Sequence, residues 1–130
     1  MGVVSVCTMS LAYDSFTLPP EPDAALIALR ALSKDDPVLV FKQSPICPVS
    51  HRALARYRAW LTGHRGARVK STEIDVLAER ALARGLVALL GIPHESPQVL
   101  VFKGGQVVWH GSHEGISANA LSSALKNPPR

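Results

Sequence analysis

The sequence is short of cysteine, aromatic residues and charge, and it contains no long apolar run. Two cysteines, Cys7 and Cys47, stand among 130 residues. That is too few for the disulfide framework of a small secreted fold, so a reducing, cytoplasmic compartment is expected. Fourteen Lys and Arg against ten Asp and Glu leave a net charge of +4. Without basic runs or interleaved aromatics this excess does not point to nucleic acid; it suits solubility, an anionic small molecule or an acidic protein surface. Met1 to Cys7 is apolar but has no basic residue ahead of it, and polar Thr8 and Ser10 follow at once. Neither a signal peptide nor a membrane partner is expected. What remains is an ordinary globular balance, 47% hydrophobic and 18% charged, over a length that builds one core rather than two.

One of the two cysteines has an informative context. Cys47 lies between an apolar run, Val38-Leu39-Val40-Phe41, and a helical pattern that reaches about His64. Pro48 fits the first position of that helix, which makes Cys47 its N-cap and aims the sulfur at the free N–H groups of Val49 and Ser50. Unpaired amides and the helix dipole favour negative charge there, the setting in which a thiol becomes a thiolate. Ser50 stands where a C-x-x-C oxidoreductase has its second cysteine, so Cys47-Pro48-Val49-Ser50 is a monothiol motif. It can attack a disulfide and hold a mixed disulfide, and another thiol must release it. The alternative is a small buried core cysteine; strand, cysteine, proline and helix in succession favour the reactive reading.

The rest of the chain supplies a frame. Residues 1–18 show no sustained period and are closed by Pro19-Pro20. They read as an N-terminal extension, either loosely ordered or adding an edge strand, ahead of a single domain over 19–130. Pro22 opens a helix with Ala25, Leu26, Leu29 and Leu32 on one face. Val38 to Phe41 fits a strand buried on both faces. The helix after Cys47 turns Val49, Ala53, Tyr57, Trp60 and Leu61 inward, with His51, Arg52, Arg56 and Arg58 on a solvated side. Val69 to Leu77 reads as a strand, and Leu82, Leu86, Leu89 and Leu90 as a helix that tolerates Gly85 and ends at Gly91. Gln98–Lys103 and Gln106–His110 flank Gly104-Gly105, a hairpin signal. Ser117 is preferred over Ser112 as N-cap of the last helix, because Ile116 and Leu121 then take the two positions of a hydrophobic staple.

From the strand before Cys47 onward the order is β-α-β-α-β-β-α. It predicts an α/β thioredoxin-like fold: a central four-stranded mixed sheet flanked by helices, with an extra N-terminal helix. That topology brings Ser44–His51, Ala78–Arg80, His94–Pro97 and His110–His113 to one sheet edge. Cys47, Ser50 and Pro97 are the catalytic candidates. Pro48, Arg80, His94, Ser96, His110 and His113 are candidates for holding a substrate. Trans is the commoner state of an X-Pro bond, but the fold context points to cis for Ser96-Pro97, which would present the Ser96 backbone to an extended partner. His94, His110 and His113 with Glu95 and Glu114 offer metal-binding side chains without regular ligand spacing, so no metal is expected.

Several of these residues also carry a family resemblance. Phe41-Lys42-Gln43-Ser44 with Cys47-Pro48-Val49-Ser50, His94-Glu95-Ser96-Pro97-Gln98, and Val108-Trp109-His110 with Ser112-His113 resemble the monothiol bacilliredoxin, or YtxJ-like, family over about Asp23 to Leu125. Ile46 stands where that family usually has Thr. The Arg-Pro-x-Ser segment expected before the next helix is Arg80-Ala81-Leu82-Ala83. The resemblance implies a thiol–disulfide oxidoreductase that uses bacillithiol as co-substrate, binds no tight cofactor, and removes bacillithiol from bacillithiolated proteins. Two other readings stay open. Cys7 could resolve a Cys47 adduct. Alternatively, the chain could be a thioredoxin-fold binding protein carrying an iron–sulfur cluster or a low-molecular-weight thiol, which Pro48 favours less than a Gly would. The oligomeric state and the protein substrates are not legible.

Overall fold

The computed structural model describes residues 13–64, 66 and 68–128. Cys7 and the first 12 residues lie outside the described residues. One mixed sheet of five strands runs in the order β1-β3-β2-β4-β5. The strands are β1 (Tyr13–Ser15), β2 (Val38–Gln43), β3 (Val69–Asp75), β4 (Gln98–Lys103) and β5 (Gln106–Ser112). Four helices accompany them: α1 (Pro22–Leu32), α2 (Pro48–Gly63), α3 (Arg80–Leu90) and α4 (Ala118–Ala124). β2 is parallel to β3 and antiparallel to β4, and β5 is antiparallel to β4. This is the thioredoxin-like architecture read from the element order, with one strand more than the four expected. The addition is β1, which pairs parallel to β3 with Tyr13 opposite Val69. Of the two expectations for the N-terminal stretch, an edge strand is the one seen at Tyr13–Ser15.

The unbroken apolar run of β2 puts it at the centre, because a strand buried on both faces needs a helix layer on each. Leu39 and Phe41 face α2 and α4, packing with Tyr57, Trp60 and Ile116. Val38 and Val40 face α1 and α3, packing with Leu29, Leu82 and Leu86. Each such side chain contributes about 1.5–3 kcal/mol on burial. Gly85 interrupts the α3 pattern for a packing reason: a Cβ there would meet Pro22 Cγ at 2.1 Å. It is the small residue that lets α3 lie against the start of α1.

The ends of the elements follow their side chains. β3 stops at Asp75 and not at Leu77, because the Asp75 carboxylate Oδ1 accepts from the backbone N–H of Leu77 at 2.9 Å and Ala78 at 3.0 Å. That closes a turn in place of a ladder. The polar run Lys70 to Glu73, unusual in a strand, is partnered. Lys70 pairs with Asp36 at 2.9 Å, Tyr57 meets Ser71 at 2.5 Å, and Arg58 pairs with Glu73 at 2.6 Å. Gly104 and Gly105 both have positive φ, 63° and 86°, as a two-residue type I′ hairpin requires. Ser117 caps α4, its Oγ accepting from Ala120 N at 3.1 Å, with Ile116 and Leu121 both buried in one cluster.

Candidate active site

The parallel β2 and β3 both run toward one edge of the sheet, β4 starts from that edge and β5 returns to it. Lys42 on β2 stands opposite Gln98 on β4. The chain leaving β2 toward Cys47 and the chain reaching β4 through Ser96-Pro97 therefore emerge side by side.

Cys47 is the N-cap of α2 with Pro48 at the first helical position. Its sulfur, however, makes no capping hydrogen bond, contrary to the aim at Val49 and Ser50 read from the sequence. Sulfur is a weak acceptor beside the oxygen of Ser or Asp, and Pro48 offers no N–H. The loop is held by other groups. Cys47 N donates to Ser44 O at 3.2 Å. Ser44 N donates to Ser50 Oγ at 2.9 Å. The His51 ring meets Pro45 O at 2.5 Å. Ser50 is wholly buried, so the position of a second cysteine is filled by a hydroxyl turned back onto the loop. Cys47 itself is half-buried and a free thiol, on a lip whose preceding residue, Ile46, is 79% exposed.

The Ser96-Pro97 peptide bond is cis. Pro97 is buried, and its carbonyl accepts from His113 N at 3.2 Å. The Ser96 hydroxyl is buried with no hydrogen-bond partner among the described residues. The loop ahead of Pro97 is braced from behind: Gln98 Nε2 donates to Pro93 O at 3.2 Å, and Lys42 Nζ donates to Gln98 Oε1 at 3.0 Å. Lys42 is 1% exposed. Burial lowers its pKa from 10.5 to about 8, opposed by the nearby Glu95 carboxylate. Burial also lowers His94, helped by the charge of Lys42 and opposed by Glu95.

The β5 exit joins the same edge through His113, whose φ of 51° is a left-handed conformation that costs a non-glycine residue about 1–3 kcal/mol. Three contacts hold it. Its N–H meets Pro97, its Nδ1 lies 3.7 Å from Glu95 Oε1, and its carbonyl accepts from Arg56 Nη2 at 3.3 Å. Arg56 also donates to Ile116 O at 3.2 Å, so it ties α2 to this turn and does not simply face solvent. The difference is long-range: a side chain off the apolar stripe of a helix can still meet carbonyls 57 and 60 residues away.

The remaining candidates divide. His94, exposed, and Ser96 sit on the proline loop, and Pro48 is exposed beside Cys47. Arg80 begins α3 and is exposed. His110 departs from the group. It pairs opposite Leu100, two residues down β5 from Ser112, and lines a cleft of about 750 Å³ with Arg30, Leu90, Ile92 and Trp109. Strand alternation sends it to the α1/α3 face, so the two histidines of the β5 exit do not form a pair. Among the described residues no group of three His, Cys, Asp or Glu side chains comes together as a metal site, and no helix is long and apolar enough to cross a membrane.

A single free cysteine at a strand-to-helix junction, a serine three residues on and a cis proline on the adjoining strand occur together. The family model described as Monothiol bacilliredoxin BrxC matches residues 22–121. The chain belongs to the monothiol bacilliredoxin family. Solved structures agree on the fold. A protein described by its thioredoxin fold superposes with a TM-score of 0.67 at 23% identity, covering 87% of this chain and 93% of that one. Thioredoxin f from spinach chloroplast, long form, gives 0.63 at 18% identity over 87% and 84%. Trxlp from Edwardsiella tarda EIB202 gives 0.57 at 22% over 85% and 98%. As a bacilliredoxin-family protein with this fold, the chain has a thiol oxidoreductase role. Two residues to which the sequence reading gave no role, Lys42 and Gln98, both lie inside the motifs that resemble the family. A lysine directly after four apolar residues was the signal for their buried pair.

Proposed function

We propose that the protein removes bacillithiol from protein mixed disulfides, with Cys47 as the attacking thiol. The observation that carries this is one half-buried Cys47 at the start of α2, with buried Ser50 in the place of a resolving cysteine. The Cys47 thiolate attacks the bacillithiol sulfur of a bacillithiolated protein. The protein–bacillithiol S–S bond breaks, the protein sulfur leaves with the electron pair and takes a proton, and a Cys47–bacillithiol disulfide forms. A second bacillithiol then attacks that adduct, leaves as bacillithiol disulfide and returns Cys47 as thiolate. No internal ring can close on Cys47 through Ser50, so the adduct waits for an outside thiol.

Pro97 and Ser96 form the wall along which the substrate chain lies, the Ser96 backbone being presented to it. Pro48, His94 and His113 line the mouth, and Arg80 at the start of α3 supplies a guanidinium for a ligand carboxylate. His110 takes a more distant part, in the cleft along β5. The reaction belongs in a bacillithiol-containing cytoplasm. The test is release of bacillithiol from a bacillithiolated test protein, followed by mass. Wild type is expected to free the test protein and gain a bacillithiol-sized adduct on Cys47. Cys47→Ser is expected to do neither, and full activity of that variant would remove the proposal.

A further inference from the structure

Lys42 occupies a position where the sheet pattern calls for an apolar residue. It continues Val38 and Val40 on the face covered by α1 and α3, beside Ile74 on β3 and Gln98 on β4, and it is 1% exposed. An ammonium has three donors. Among the described residues Lys42 makes one hydrogen bond, to the neutral Gln98 amide at 3.0 Å, and no ion pair. The acids of the neighbouring strand are engaged elsewhere, Glu73 with Arg58 and Asp75 in its turn. On the loop above, Glu95 is the acid whose charge reaches Lys42, and His94 feels both Lys42 and Arg84 of α3. The loop also carries the unpartnered Ser96 hydroxyl. Burying a cation without a bonded carboxylate costs stability, and a chain that keeps one beneath a reactive loop has a use for its field.

We propose that Lys42 is a specificity-determining residue: its buried ammonium beneath the Pro93–Pro97 loop favours disulfide partners whose thiol half carries negative charge. This rests on Cys47 being the exchanging thiol. Lys42 neither gives nor takes a proton in the exchange. Its field stabilises an anionic partner approaching Cys47 and the anionic thiolate that departs.

Two disulfide reagents test this on the full chain carrying Cys7→Ser, so that only Cys47 reacts. One is 5,5′-dithiobis(2-nitrobenzoate), with a carboxylate on each half; the other is neutral 2,2′-dithiodipyridine. The ratio of their stopped-flow rates cancels the ionised fraction of Cys47. Lys42→Met is expected to lower the anionic-to-neutral ratio about three- to ten-fold, the size of effect that one buried charge has on an anionic partner. Lys42→Gln, which keeps a polar partner for Gln98, should lose as much. In wild type the ratio should fall as pH rises through about 8, where Lys42 loses its charge, and in Lys42→Met it should stay flat there. The His94 titration followed by NMR should move up in Lys42→Met, since a positive neighbour has been removed. An unchanged ratio, equal slowing of both reagents, or an unmoved His94 overturns the inference and leaves Cys47 exchange standing. A wild-type Cys47 inert to both reagents overturns the proposed function along with it.

Discussion

Ser50→Ala is the substitution whose effect the site geometry defines best. The hydroxyl is wholly buried and accepts the Ser44 N–H at 2.9 Å. Removing it takes away the acceptor of an amide at the end of β2, and an unsatisfied donor of this kind costs about 1–3 kcal/mol. Ser44 N is partly sheltered rather than sealed, so water recovers part of the loss and about 1–2 kcal/mol is expected. For a chain of 130 residues this lowers the melting temperature by about 3–8 °C. The same bond holds the Ser44–Cys47 turn, so turnover should fall without disappearing. Urea unfolding gives the first number and release of bacillithiol from a test protein the second. A Ser50→Ala protein with wild-type stability and wild-type turnover would refute the role given to this hydroxyl. Ser50→Cys completes the contrast. Residues three apart at a helix start have Cα atoms about 5–6 Å apart, within disulfide range. In that variant the bacillithiol adduct should give way to an internal disulfide between Cys47 and the new thiol at position 50, visible as a loss of the adduct mass.

Other outcomes follow from other parts of the molecule. Gly85→Ala should destabilise by about 1–2 kcal/mol in urea unfolding. Its Cβ would lie 2.1 Å from Pro22 Cγ, and forcing α1 and α3 apart outweighs the gain of about 1 kcal/mol in helix propensity. Lys42 should tilt the pH dependence of stability. Its folded pKa, about 8, lies below the ordinary 10.5, so the unfolded chain binds more protons between those values. The resulting penalty is fully present below about pH 8 and fades as pH rises to about 10.5. Wild type should therefore gain about 3 kcal/mol relative to Lys42→Met over that window; a constant difference between the two proteins would contradict the assigned burial cost.

The chain by itself determined whatever depends on neighbours a few residues away. The apolar run of β2, the Cys47-Pro48 junction, the Gly104-Gly105 hairpin and the Ser117 cap with its Ile116–Leu121 staple are written in spacings of one to five residues, so they could be read in order and assembled into the sheet. Only the tertiary structure decided what depends on residues brought from far along the chain. Lys42 was legible as an oddity in a strand, but its buried bond spans 56 residues to Gln98. Arg56 sits on the polar side of α2, and only the docking of the β5 exit turns it into a clamp on His113. His110 and His113 are three apart in sequence, yet a strand sends its side chains to alternate faces and His113 bends into the left-handed region, so proximity along the chain did not become proximity in space. The added β1 had the same cause: three residues carry too little periodicity to announce a strand, and the free edge of β3 supplied the partner.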